Sequence, residues 1–419
     1  MKILHINTYD TGGSAIAAIR LHKELLSQGY DSNFLFLYQS AYTIPNSFYF
    51  SIPKKKKHNF FIRQLKKLQK TILNESSEAN KNNAKLKNKP IEFEMFSFAT
   101  TDFDITTQKI YQEADIVHLN WVSGFMDHNF FKKNTKPLVW TLHDMNPFTG
   151  GCHYSSGCEK YISECKNCPQ LQNTINSDSS FENQNYKMQM LSGQQIIIVS
   201  PSEWLRGFAT DSKLFRHCNT KHIANCIDFS IFRPLNKLHC REILNITNNK
   251  KVLLFVSDNY LNKRKGFDLL LEALTLIDDN EITLVAIGGQ SMNLTVMKNI
   301  HFLGSVQDER LMSVAYSAAD IFILPSREDN LPNVMLESLA CGTPVISYNV
   351  GGMSEVIIDG FNGILVKDIS SAALSEAIKD FIQDKFNFDS KEIREHARLE
   401  FQSATQASKY VEVYQNIMR

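Results

Sequence analysis

Long hydrophobic runs are missing from this sequence: nothing approaches the roughly 18 apolar residues that a membrane span needs. The N-terminal MKILHIN reaches polar Asn7 and Thr8 too early for the apolar core of a signal peptide. A cytoplasmic chain is therefore the expectation. Net charge is nearly absent as well, with Lys+Arg 45 against Asp+Glu 44 leaving +1, which argues against a global attraction to nucleic acid or membrane. Glycine appears before a helix in NTYDTGGSAIAA, but without the three-glycine spacing of the dinucleotide fingerprint.

Apolar β-branched runs are present in number. KILHIN, NFLFLY, ADIVHL, PLVWTL and QIIIVS alternate with amphipathic stretches in the first half, and KVLLFVS, ITLVAIG, ADIFILPS and TPVISY do so in the second. Continuous apolar strands separated by helices indicate parallel sheets covered on both faces. With 419 residues the chain exceeds one ordinary core. An α/β protein with two doubly wound, Rossmann-like domains facing across a cleft is expected. The domains would cover 1–235, with a cysteine-rich insertion at 150–171, and 236–402, leaving 403–419 as a helix returning to the first domain. The hinge would fall near NCIDFSIFRPLNK, where Pro234 and polar residues precede a fresh strand.

Within 40–90 the pattern is less regular, and NESSEANKNNAKLKNKP has a loop composition. Before it, Phe61, Leu65, Leu68 and Ile72 recur at helical spacing among Lys54 to Lys57, Arg63, Lys66, Lys67 and Lys70. Such a helix suits an anionic membrane surface, or equally packing on its own domain.

Three strand-to-helix junctions carry candidate chemistry. Gly12 and Gly13 can bring bare backbone N–H groups against a phosphate at a helix N-terminus, or simply make a tight turn. Arg264 and Lys265 precede Gly266 at a second junction, where cations can neutralise a diphosphate. The third is ADIFILPSREDNLPNVMLESLACGTPVI, where a helix opens after Pro332 at the position where open α/β sheets bind ligands. Asp329 and Glu337 there offer acceptor oxygens to paired hydroxyls.

HDMNPFTGGCHY, joined to these motifs and to the C-terminal YVEVYQNIMR, makes nearly the whole chain resemble glycosyltransferase family 4. These are retaining GT-B enzymes that use nucleotide-activated sugars, and the cysteine-rich form resembles a subgroup of bacterial surface-polysaccharide pathways. The resemblance implies that Glu337 binds the nucleotide ribose, that Asp329 faces the donor sugar, and that Asn330, Leu331 and Pro332 lie along the diphosphate. It further implies that Lys265 and Arg264 hold the diphosphate from the opposite side, that Gly12 and Gly13 close over it, and that His143 hydrogen-bonds the transferred sugar. The pattern departs from the family in having Asp329, preceded by Glu328, where Glu is usual, and Asn259 where an Arg is usual, which leaves Arg264 to substitute. Asn225-Cys226-Ile227-Asp228 also lacks the Gly that commonly follows Asn.

No carboxylate is obviously placed as the nucleophile of a double displacement. Front-face substitution follows, with cations stabilising the departing diphosphate and no catalytic metal implied. The expected partners are a nucleotide-sugar donor, a glycan or lipid-linked acceptor and an anionic inner membrane face, with no nucleic acid. The products would be capsule, exopolysaccharide or O-antigen. A nucleotide-sugar epimerase of the same fold and a non-catalytic sugar-binding protein are the alternatives.

Cys152, Cys158, Cys165 and Cys168 are close in sequence, and CKNC has zinc-knuckle spacing. In a reducing compartment they are expected to bind one structural zinc, with His153 able to replace one ligand. Four unligated buried thiols, or two disulfides under oxidising conditions, are the alternatives.

Overall fold

A computed structural model describes residues 1–40, 43–51, 77–91, 93–172, 178–246, 250–277, 282–289 and 300–419. The basic amphipathic stretch Lys54 to Ile72 lies outside the described residues. No helix among the described residues is long and apolar enough to cross a membrane. The chain divides into two compact units. The first comprises Met1–Val199, Gly207–Lys221 and Val413–Arg419, and the second comprises Ser200–Arg206 and His222–Glu412.

The first unit is built on β1 (Lys2–Asn7), β2 (Asp31–Phe36), β3 (Ser47–Tyr49), β4 (Ile116–Leu119), β5 (Leu138–Thr141), β6 (Ile196–Ser200) and β7 (Asn219–His222). They form one sheet in the order β3-β2-β1-β4-β5-β6-β7. β1 pairs in parallel with both β2 and β4, Ile3 lying opposite Ser32 on one side and Ile116 on the other. That order places the ends of the apolar runs NFLF, KILHIN and IVHL next to one another. Helix Gly13–Ser27 covers the sheet, its Ala15, Ala18 and Ile19 packing with Phe34 and Phe36. Gly12 opens this helix at φ 90 with nothing within 4 Å of a would-be Cβ. Backbone conformation, not space, selects glycine there.

The second unit has β8 (Lys251–Val256), β9 (Ile282–Ile287), β10 (Ile300–Gly304), β11 (Ile321–Leu324), β12 (Val345–Tyr348) and β13 (Gly363–Val366), in the order β10-β9-β8-β11-β12-β13. Its strands show why their sequences are apolar throughout. Val252, Leu254, Phe322 and Leu324 enter one core, while Leu253, Phe255, Ile321 and Ile323 enter another. Alternate side chains point to opposite faces, and both faces are covered.

The units change over between Lys221 and His222, ahead of the expected boundary at 235/236. Ile227 and Phe232, at 1% and 0% exposure, belong to the second unit's core, with Ala224, Phe229, Ile231 and Leu235 packed against it. Pro234 therefore marks a turn inside that unit, because apolar residues on both sides of it share one core. At the C-terminus helix Ser403–Met418 ends in Val413–Arg419, which is grouped with the first unit. There the Tyr414 hydroxyl meets Nδ1 of buried His118 at 2.7 Å.

Candidate active site

In the second unit the two strand-to-helix junctions expected to carry chemistry meet. Lys265 ends the short turn Lys263–Lys265, and Gly266 follows at φ 72, where a Cβ would lie 1.8 Å from the Pro325 carbonyl oxygen. Only glycine lets this turn press against the end of β11. The contact delivers Lys265 Nζ to Asp329 Oδ2 at 2.6 Å and an Arg264 guanidinium nitrogen to the same oxygen at 3.1 Å. Arg264 also donates to the Glu328 carbonyl at 2.7 Å. Gly351, at φ 58, closes the other side, where a Cβ would meet the Asp329 carbonyl oxygen at 1.9 Å.

Asp329 is 5% exposed. Burial alone would raise its carboxyl pKa, but the Lys265 ammonium and then the Arg264 guanidinium hold it well below the usual carboxylate range. The carboxylate is thus anionic and shared by two cations. Of the neighbouring pair Glu328 and Asp329, Asp329 is the one whose carboxylate joins Lys265 and Arg264. Asn259, at the position where the family has an arginine, accepts the Leu261 N–H through its side-chain oxygen at 2.9 Å, and Arg264 supplies the second cation.

Asn330 and Leu331 continue the loop into helix Asn333–Ala340, with Pro332 at its N-cap. The loop is held from outside its own sequence. The Ser202 hydroxyl donates to Asn330 Oδ1 at 2.6 Å, and Asn225 Nδ2 donates to the Leu331 carbonyl at 3.1 Å. Glu337 lies on the helix at 5% exposure, its Oε2 accepting the hydroxyl of fully buried Tyr316 at 2.9 Å. Asn225 and Ser202 lie far from the motif in sequence, which alone offers no sign of them, and Tyr316 stands just ahead of it without any spacing that ties it to Glu337.

In the first unit, His143 follows β5 and lines a recess with Asn120, Trp121, Ser123, Asp144 and Asn146. Burial lowers its pKa to about 4, and the neighbouring Asp144 carboxylate offsets only part of that. His143 is neutral near pH 7, and its Nε2 lies 3.3 Å from Asn120 Oδ1. Asp144 organises the loop: its Oδ2 accepts from Trp121 Nε1 and His153 Nδ1, both at 2.6 Å, and its Oδ1 accepts from the Asn146 N–H at 2.8 Å. His153 Nε2 meets the Ser97 hydroxyl at 2.9 Å. Lys187, fully buried, donates to the Asn146 and Thr149 carbonyls, with Thr149 at 3.2 Å. Gly12 and Gly13 are exposed at the end of β1 in the same unit.

Cys152, Cys158, Cys165 and Cys168 line one cavity and are free thiols. The Gly150 N–H points at Cys165 Sγ, 3.2 Å away. Burial pushes the Cys165 thiol up to about 12, and Cys152 and Cys168 also upward. Among the described residues no group of three or more His, Cys, Asp or Glu is disposed to hold a metal ion. The four cysteines expected to hold zinc nevertheless border the same cavity. His153 is no substitute ligand, because Asp144 and Ser97 engage both its ring nitrogens.

Residues 237–400 match the family described as Glycosyl transferases group 1. Over the full length of both chains the protein is 25% identical to the putative colanic acid biosynthesis glycosyl transferase WcaC of Escherichia coli K12. Its fold matches that of a sucrose-phosphate synthase from Thermosynechococcus elongatus with a TM-score of 0.68 at 17% identity, covering 100% of this chain and 99% of the other. Anabaena Alr3699/HepE, solved in complex with UDP and glucose, matches with a TM-score of 0.65 at 18% identity and covers 99% of each chain. Residues 237–400 thus carry a Glycosyl transferases group 1 domain, and the chain has the two Rossmann-like sheets of the GT-B fold.

Proposed function

We propose that this chain is a retaining glycosyltransferase of family 4 that moves a sugar from a nucleotide-sugar to a glycan or lipid-linked glycan in bacterial surface-polysaccharide synthesis. The observation that carries the donor half is the pairing of Lys265 and Arg264 on one buried carboxylate, Asp329, beside the helix that presents Glu337. Two cations against one anion leave positive charge for a diphosphate, and Asn330, Leu331 and Pro332 offer backbone at a helix N-terminus. Glu337 supplies acceptor oxygens for the ribose hydroxyls. His143, neutral near pH 7, contributes a hydrogen bond to the transferred sugar, and Gly12 and Gly13 contribute bare backbone to the diphosphate.

With Lys265 and Arg264 stabilising the diphosphate as the anomeric bond breaks, the leaving phosphate oxygen takes the proton of the attacking acceptor hydroxyl on the same face. The full-length relative WcaC supports the polysaccharide setting, and the UDP and glucose complex of HepE supports a uridine nucleotide donor. Cytoplasmic placement at the inner face of the membrane belongs to the same proposal, through the lipid-linked acceptor. A panel of nucleotide-sugars, read by released nucleoside diphosphate with and without lipid-linked acceptor extract, tests the reading. Release from none of them refutes transfer, and conversion of one nucleotide-sugar into another without acceptor points to an epimerase.

A structural zinc in the cysteine cavity is a finer proposal. It requires the four sulfurs to turn from the cavity walls onto one ion. Stoichiometric zinc in protein purified without a polyhistidine tag, lost in Cys165→Ser plus Cys168→Ser together with melting temperature, is the expected result, and substoichiometric zinc rejects it.

A further inference from the structure

At the carboxyl edge of the first unit's sheet, three aromatic side chains occupy equivalent places on neighbouring strands. Tyr38, Tyr9 and Trp121 are each the second residue beyond the ends of β2, β1 and β4, which lie side by side in that order. Neighbouring strands run about 4.8 Å apart. The rings keep that spacing: Tyr9 stacks on Tyr38 with centroids 5.2 Å apart and planes 17° from parallel, and Trp121 lies 5.8 Å from Tyr9 at 36°.

Such a row would serve packing if it were covered, yet Tyr9 is 43% and Tyr38 52% exposed. Its backbone is nevertheless firmly tied. The Tyr38 N–H donates to the Thr8 carbonyl at 3.2 Å, and the Thr8 N–H donates to the Trp121 carbonyl at 2.8 Å. Asn7 Oδ1 accepts the Trp121 N–H at 2.7 Å, and Asn7 Nδ2 donates to the Tyr9 carbonyl at 2.7 Å. The indole N–H of Trp121 is fixed on Asp144 at 2.6 Å. Ordering the platform before a ligand arrives lowers the part of the binding cost that comes from fixing the protein.

Trp121 belongs to two surfaces: it ends the row and lines the polar recess with Asn120, Ser123, His143 and Asn146. Flat apolar faces beside amides, a hydroxyl and an imidazole match a ligand with the same division. A pyranose has it, with axial C–H groups on one face and hydroxyls around its rim. A lipid chain would match the apolar faces alone and not the polar groups beside them.

We propose that Tyr38, Tyr9 and Trp121 form a stacking platform for pyranose rings of the acceptor glycan, and that this platform selects acceptors by ring face. The inference rests on the sugar-transfer reading above and adds to it the surface that recognises the acceptor. Tyr9 and Tyr38 act through their rings, so the hydroxyls are dispensable.

Saturation-transfer NMR on the full-length protein tests this, using methyl β-D-glucopyranoside, methyl β-D-galactopyranoside, methyl α-D-mannopyranoside and methyl α-L-fucopyranoside. Transfer to the C–H protons of one ring face is expected for at least one glycoside. It should be lost in Tyr9→Ala plus Tyr38→Ala and kept in Tyr9→Phe plus Tyr38→Phe. Circular dichroism melting checks the fold, and if the double alanine variant is unfolded the exposed single change Tyr38→Ala takes its place. Absence of transfer from every glycoside, or equal transfer in the alanine variant, overturns the platform. So does wild-type self-association in sedimentation that the alanine variant abolishes, since a second copy would then be what covers the rings. UDP binding by the wild-type protein, followed by calorimetry, separates the two readings: UDP bound without glycoside transfer sinks the platform alone, and no UDP binding sinks the donor reading.

Discussion

The two units differ in the ionisable groups that they gather. In the second, a buried carboxylate is kept ionised by two cations, Asp329 between Lys265 and Arg264. In the first, buried imidazoles are kept neutral: burial lowers His118 to about 3 and His143 to about 4, and lowers His5 and His128 as well. By the proposed roles the second unit meets a strongly charged ligand group, and the first adds exposed aromatic faces and neutral imidazoles to its own buried Asp144 carboxylate. That contrast matches a reaction in which every donor brings a diphosphate while the other substrate brings hydroxyls.

Breaking the charged side should have the largest effect. Lys265→Ala removes the ammonium 2.6 Å from Asp329 and, by the proposed role, a contact to the leaving diphosphate. The expected loss is about 2 to 4 kcal/mol of transition-state stabilisation, or roughly 30- to 1000-fold in turnover at saturating donor. Steady-state release of nucleoside diphosphate measures it, and near-wild-type turnover would remove Lys265 from the site.

Acid should separate the units next. The buried histidines are neutral in the folded first unit, whereas in the unfolded chain each takes up a proton below its ordinary 6.5. Between 6.5 and the lowered folded values of about 4 and 3, the unfolded state holds more protons, so stability falls as pH falls. The slope approaches about 1.4 kcal/mol per pH unit for each such group. Asp329 behaves differently: its folded pKa is depressed below the ordinary 3.8, so its stabilisation is fully present above that value and is lost only in stronger acid. Calorimetric scans from about pH 7 to pH 5 should lower the first unit's transition while leaving Asp329's contribution to the second intact. A first-unit transition that does not move would show that the imidazoles are not held neutral.

The same contrast explains what could be read from sequence. Strands such as KVLLFVS and ADIFILPS announce themselves by composition, and the stretch from Pro325 through the loop to Glu337 on the following helix is contiguous, so spacing alone places its residues around a helix start. The platform is different, because Tyr38, Tyr9 and Trp121 become neighbours only through the strand order β2-β1-β4. Asp144 was visible beside His143, but its bonds to Trp121 and His153 come from loop folding. The cysteines show what spacing leaves open: CKNC pairs Cys165 with Cys168, but that Cys152 and Cys158 border the same cavity, and that Cys165 N–H bonds Gln184 and Cys168 N–H bonds Asp178, is not written in it. Pro234 read as a domain boundary because turn chemistry is local, while membership of a core is not.

A smaller effect probes the ribose contact proposed for Glu337. Tyr316→Phe deletes the hydroxyl that donates to Glu337 Oε2 at 2.9 Å without opening a cavity. A hydrogen bond to a carboxylate is worth about 1.5 kcal/mol at the low end, which bounds the orientation energy Glu337 can lose, so by its proposed ribose role the donor KM should rise by up to roughly tenfold with kcat much less affected. A purely structural role for Tyr316 would lower the melting temperature and leave KM unchanged.

The smallest change tests the first unit at its most buried point. His5 is 0% exposed, its ring stacks on Phe34 at 5.3 Å beside the rings of His22 and His118, and among the described residues neither ring nitrogen has a hydrogen-bond partner. A buried imidazole without such partners carries a desolvation penalty of about 1 to 3 kcal/mol. Leucine has nearly the same volume and no polar atoms. His5→Leu should therefore be neutral or stabilise the first unit by up to about 1 kcal/mol near pH 7, after losing the ring contacts with Phe34 and His118. It should also flatten the acid slope by one group, because the unfolded chain then has one fewer imidazole to protonate. Chemical denaturation at about pH 7 and pH 5 reads both effects. A loss of stability at the higher pH would mean that the ring's stacking outweighs its unpaired nitrogens, and an unchanged slope would mean that His5 does not titrate on unfolding.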